Sequence, residues 1–184
     1  MLIFFGVLVA IGFYLIAMYN RLVALRQTGN QAWSDIDVQL KQRYDLIPNL
    51  VETVKGYAKH EKDTLEAVVN ARNAAMSAGT VADQAAAENM LTGALKSLFA
   101  LSEAYPDLKA NTNFLQLQAE ISDIENKIAA ARRFYNNAVA EYNTAQEQFP
   151  AVLMAKQFGF EKRDFFEVAA SERSAVNAPP SVKF

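Results

Sequence analysis

Residues 114–145 read FLQLQAEISDIENKIAAARRFYNNAVAEYNTA, and their apolar positions keep one rhythm throughout. Phe114, Leu117, Ile121, Ile124, Ile128, Ala131, Tyr135, Ala138, Tyr142 and Ala145 recur at alternating steps of three and four. Such spacing lines one face of a helix, and its persistence over more than four heptads predicts a long rod packed at a shallow angle on partners of its kind. The same rhythm appears upstream at Trp33, Leu40, Tyr44, Ile47, Val51, Val54 and Ala58, and then at Leu65 and Val68, with Asp37 and Glu61 as polar interruptions. Gly79 is a stop signal, so this first soluble helix is expected to run to about Ser77, with Thr80 capping the next one and Asp83 three residues on. That next helix reads from Val81 to Tyr105, with Leu91, Leu95 and Leu98 on one face and Pro106 ending it. With 7 Gly and 5 Pro in 184 residues, and an interior of straight-chain helix formers, the class is all-α: an antiparallel helical bundle.

No charged side chain precedes Arg21, and residues 1–18 are almost wholly apolar. A helix rising about 1.5 Å per residue crosses the roughly 30 Å hydrocarbon core with a run of this length. A cleaved leader fits poorly, because no Lys or Arg precedes the run and no small-residue cleavage site follows it. The expected organisation is a single-pass transmembrane anchor over 1–19, the bundle over 20–149, and an aromatic-rich segment with an extended tail over 150–184. Arg21, Arg26, Lys41 and Arg43 follow the span, which favours a cytoplasmic body by charge bias. Ala178 to Phe184 contains Pro179 and Pro180 and is expected to be an extended arm.

Composition excludes several functions. A net charge of −2 without a basic cluster argues against nucleic acid, and the absence of cysteine removes both disulfides and thiol chemistry. His60 is the single histidine; Lys59-His60-Glu61 resembles the start of a zinc-protease helix, but Thr64 stands where the second ligand is required. Asp35 and Asp37 project about 200° apart on a helix and cannot form a carboxylate pair. There is no glycine-rich phosphate loop, so the sequence calls for no cofactor, no metal and no catalytic residue.

The oddity is Arg43-Tyr44-Asp45-Leu46-Ile47-Pro48-Asn49-Leu50, a proline inside the apolar rhythm. Proline removes one backbone hydrogen bond and crowds the carbonyl of Tyr44, at a cost of about 3 kcal/mol unless the chain adapts. Because Val51, Val54 and Ala58 keep the phase of Leu40 and Tyr44, a kink within one helix is expected. Arg43, Asp45 and Asn49 would satisfy the freed backbone groups or a neighbouring chain. Arg43, Asp45, Pro48 and Asn49 at the kink, with Trp33, Asp37, His60 and Glu61 on the flanking motif stretches, are the candidate motif and interface residues. Phe158, Phe160, Phe165 and Phe166 form a candidate docking surface.

The words Tyr19-Asn20-Arg21-Leu22-Val23, Ala32 to Lys41, Arg43 to Leu50, Val51 to Glu61, Ala71-Arg72, Phe134-Tyr135-Asn136, Phe149-Pro150, Phe158-Gly159-Phe160 and Val182-Lys183-Phe184 closely resemble the bacterial LemA family. The resemblance covers nearly the whole chain. It implies a membrane-anchored antiparallel bundle without established enzymatic activity, in a family that includes magnetosome membrane proteins. Its implied role is interaction or scaffolding in the envelope. The leading expectation is a homo-oligomeric scaffold, with Gly6, Ala10 and Ala17 allowing close helix contact in lipid and Tyr14 and Tyr19 at the interface. The alternative is an adaptor that presents an envelope partner such as a membrane protease or exported domain.

Overall fold

The structure is a computed structural model and describes residues 1–166, so the expected extended arm lies outside the described residues. Among them the order is α1 (Leu2–Tyr57), α2 (Lys62–Met76), α3 (Val81–Ser102), α4 (Pro106–Lys109), α5 (Thr112–Glu147) and α6 (Ala151–Gln157), with no strand. Two compact units result, and each draws on α1 and α5.

One unit takes α1 from Val38, then α2, α3, α4 and the first half of α5 to Ala129. Asn113 bonds to Thr53 at 3.3 Å and Glu125 to Arg43 at 3.4 Å, so α5 runs antiparallel to α1. Arg72 of α2 reaches Tyr44, while Gln84 reaches Tyr44 from α3 and Tyr105, just beyond α3, reaches Glu61. These pairs give an up-down-up-down four-helix bundle. Its core is built from Leu40, Ile47, Leu50, Val54, Leu65, Val68, Leu91, Leu95, Leu98, Phe114, Leu117, Ile121 and Ile124, all buried. The caps follow local chemistry. Thr80 Oγ1 accepts from the Asp83 N–H at 3.1 Å to start α3, and Asn111 Oδ1 accepts from the Phe114 N–H at 2.9 Å to start α5.

The first soluble helix does not reach Ser77. It stops at Tyr57, and residues 58–61 form a turn before α2. Ala58 is buried at this corner, and the Tyr57 hydroxyl accepts from Asn111 Nδ2 at 2.9 Å. The shared phase of Val54 and Leu65 reflects two antiparallel helices facing one core rather than one continuous rod. The helix does continue through Pro48.

The other unit combines α1 up to Asp37 with residues 130–165. Leu22, Tyr142, Ala145, Ala151, Ala155 and Phe160 form its core, with Met18, Val23 and Leu25 packed against it. Trp33 meets Tyr135 edge-on at 5.3 Å. The first part of α1 is different: its most apolar window has a mean hydropathy of 2.4 and none of it is buried by the protein. By length and composition that window suffices to cross a membrane. No break in α1 follows residue 19.

Candidate functional site

The proline region positions the most unusual chemistry of the chain. Pro48 has no N–H, so the carbonyl of Tyr44 loses its helical donor. Arg72 of α2 supplies a replacement, its Nε donating to Tyr44 O at 2.8 Å. The expectation that Arg43, Asp45 or Asn49 fills this role is corrected. Asp45 and Asn49 are exposed, and the Arg43 guanidinium points into the bundle instead.

Arg43 belongs to a regular seam. Ile36, Leu40, Arg43, Ile47, Leu50 and Val54 alternate steps of four and three, and all are buried. On α3, Glu88, Leu91, Leu95, Leu98 and Ser102 do the same. The two charged seam positions meet: Arg43 Nη2 is ion-paired with Glu88 Oε2, with 1% and 0% of their side chains exposed. Arg43 Nη1 also donates to Thr92 Oγ1 at 3.1 Å and reaches Glu125 of α5 at 3.4 Å. The second Glu88 oxygen accepts from the Tyr44 hydroxyl, and Gln84 Nε2 donates to it at 2.7 Å. Burial first, and then the bond and charge of Glu88, push the Tyr44 hydroxyl above its ordinary range, so it remains a neutral donor. Hydrogen-bonded charges of this kind tie α1, α2, α3 and α5 together at one level. Both members of the central pair are closed to water and cannot meet a substrate, so the network's chemistry is cohesive.

The remaining expected residues do not join this cluster. Pro48 is exposed on α1. Asp37 is also exposed, although partial burial raises its carboxyl above the ordinary value. His60 lies exposed in the turn between α1 and α2 rather than within a helix. Glu61 accepts from the Tyr105 hydroxyl at 3.0 Å, which fastens that turn to the end of α3. Among the described residues, no three His, Cys, Asp or Glu side chains gather in a way that would hold a metal.

Close to this turn, a groove of about 570 Å³ is lined by Val51, Leu65 and Val69 on its apolar side, with Lys55, Lys59, Lys62, Glu52 and Glu66 around it. Nothing in the sequence marks this groove, because it exists only once α2 folds back on α1.

In the other unit, residues that the sequence reading passed over form a clasp. Arg163 donates to Arg26 O at 3.1 Å and to Asn30 Oδ1 at 2.7 Å, and its backbone exchanges two bonds with the Asn143 side chain. Gly29 makes room for it, since a Cβ there would lie 2.6 Å from Arg163 Nη1. Phe160 packs under Arg26 at 5.2 Å and edge-on to Tyr19 at 5.6 Å. Phe160 and Phe166 are buried by the chain itself, so neither belongs to a free docking surface; Phe158 and Phe165 are exposed.

The LemA family model matches residues 32–184. Among curated proteins, "Magnetosome protein MamQ" of Magnetospirillum gryphiswaldense is 23% identical over 191 residues, covering 90% of this chain and 69% of that protein. "Protein LemA" of Metamycoplasma hominis is 25% identical over 181 residues, covering 96% of this chain and 81% of that protein. "Magnetosome protein MamQ 2" of Paramagnetospirillum magneticum is 22% identical, again over 90% of this chain.

Proposed function

The chain belongs to the LemA family and is a membrane-associated protein, and from that premise we propose that it is a non-enzymatic scaffold that self-assembles in the bacterial envelope. The observation that carries this reading is the continuity of α1, in which an apolar window unburied by the protein leads without a break into the helices of the body. An anchor rigidly joined to its body transmits the orientation of one to the other, which suits lateral assembly. Gly6 and Ala10 fall one turn apart on the unburied window, and a Cβ at Gly6 would meet nothing within 4 Å, so close approach of a second helix is sterically open. The body lies in the cytoplasm beneath the inner membrane, in keeping with the positive charges after the span. The relatives named as magnetosome proteins support membrane association, on which this reading builds.

Because the chain has no cysteine, Gly6→Cys provides a single reporter. Oxidation in native membranes is expected to give disulfide dimers in high yield, with much less from Leu8→Cys or Leu15→Cys on the opposite helix face. Equal, low yields at all three positions would count against an ordered assembly seam.

The groove beside Lys55, Lys59 and Lys62 favours a second reading, an adaptor that holds an amphipathic acidic segment of an envelope partner. Reversing those three charges would abolish capture of a partner under that reading and leave scaffold assembly unchanged.

A further inference from the structure

Three large apolar side chains remain in water at one corner of the unit that carries the anchor. Phe149 is 81% exposed, Leu153 63% and Phe158 56%. Phe149 lies in the turn after α5, Leu153 belongs to α6, and Phe158 follows α6, so the three lie within ten residues of one another. Their location relative to the anchor is fixed by packing. A small cavity of about 90 Å³ is walled on one side by Tyr14, Met18, Arg21 and Leu22, and on the other by Gln148, Phe149, Pro150 and Ala151. Phe158 meets Tyr19 edge-on at 5.2 Å, and Ala151 and Ala155 share a core with Leu22.

The level of that corner follows from the length of the span. An uncharged helix needs about 20 residues to cross the hydrocarbon core, which brings its end close to Tyr19 and Asn20. Residues packed on Tyr14 to Leu22 are therefore held at the membrane surface, whatever their own character. Here the character matches, because Phe149, Leu153 and Phe158 stand exposed there beside uncharged Gln148 and Gln157, Glu147 is paired with Lys162, and Arg21 and Lys156 supply cations suited to phosphate headgroups.

We propose that the corner formed by the end of α5, α6 and Phe158 is a second membrane contact, with Phe149, Leu153 and Phe158 inserted at the bilayer interface beside the anchor. This surface is continuous with the span and needs no second protein to cover it. It fixes the tilt and rotation of the body against the membrane, which a single helix leaves free. The inference rests on the span crossing the bilayer and not on self-assembly.

The test uses the full chain in nanodiscs of phosphatidylethanolamine and phosphatidylglycerol. Phe149→Cys, Leu153→Cys and Phe158→Cys each carry one environment-sensitive fluorophore, with Ile11→Cys as a marker within the span and Arg133→Cys as a marker on exposed α5. Lipids bearing a quencher near the headgroup are expected to quench the three corner labels severalfold more than the Arg133 label, and iodide in the water correspondingly less, while lipids bearing a quencher deep in the acyl chains read the Ile11 label. Quenching at Ile11 but not at the corner would overturn the proposal while leaving the anchor intact. Loss of quenching at Ile11 as well would overturn both. Corner labels shielded from iodide yet untouched by the lipid quencher would also overturn it, since another protein copy would then be the cover. Replacing all three residues by serine removes side chains that are each more than half exposed, and is expected to leave the helix content unchanged and to increase the mobility of a spin label at Arg133.

Discussion

Replacing Arg43 by methionine keeps an unbranched, flexible apolar stem and removes the guanidinium and its charge from the centre of the four-helix unit. Glu88, fully buried, then loses its ion-pair partner but keeps the Tyr44 hydroxyl and Gln84 Nε2 as donors. Breaking a buried pair from one side costs about 3–5 kcal/mol, and the two remaining donors place this case near 3 kcal/mol. For a chain of this size that corresponds to a fall in the unfolding midpoint of roughly 6–12 °C. Removing the other charge as well, in Arg43→Met with Glu88→Leu, leaves Tyr44 and Gln84 bonded to each other at 2.9 Å. The double variant is expected within about 1 kcal/mol of the parent, since a buried pair replaced by apolar groups is often neutral. The assay is thermal and urea unfolding of the full chain in one mild detergent, followed by circular dichroism and read as a double-mutant cycle. An Arg43→Met variant that unfolds with the parent, or two single costs that simply add in the double variant, would refute a cohesive role for the buried pair.

Gly29→Ala should be close to neutral alone, because the gain in helix propensity of about 1 kcal/mol offsets the displacement of Arg163; in an Arg163→Ala background it should stabilise by about that amount, measured by the same unfolding assay. Tyr44 is held above its ordinary value of 10.0, so the folded state binds that proton more tightly, and the resulting stability is complete below pH 10 and lost as the pH rises above it. Tyr44→Phe should therefore lower stability at neutral pH and flatten the alkaline decline, whereas parallel declines would speak against the assigned cause. Asp37 is also raised, by partial burial, which disfavours its charged form; Asp37→Asn should be more stable than the parent near neutral pH, with the difference closing on acidification.

The helices were legible wherever apolar residues repeat, and α5 was read almost to its ends because Phe114 to Ala145 keep one phase. The break after Tyr57 was not, since Val54, Ala58 and Leu65 keep the same spacing whether the chain continues or reverses. The buried pair was hidden for a related reason. Arg43 stands out in the sequence as a residue near the proline, yet a cation in strict step with Leu40 and Ile47 is itself a signal, and Glu88 in step with Leu91 and Leu95 is its complement. Partner choice could not be read, because Arg72 meets Tyr44 only after α2 folds back. Gly29 carried a signal of the same kind, a glycine in a helix interior where its cost needs a reason; Arg163, 134 positions later by numbering, supplies that reason.

Electron microscopy of the full chain extracted in mild detergent, with its mass measured on the same sample, addresses the scaffold most directly. Closed rings or regular arrays of one mass class are predicted. A monodisperse single chain at every concentration would contradict the account.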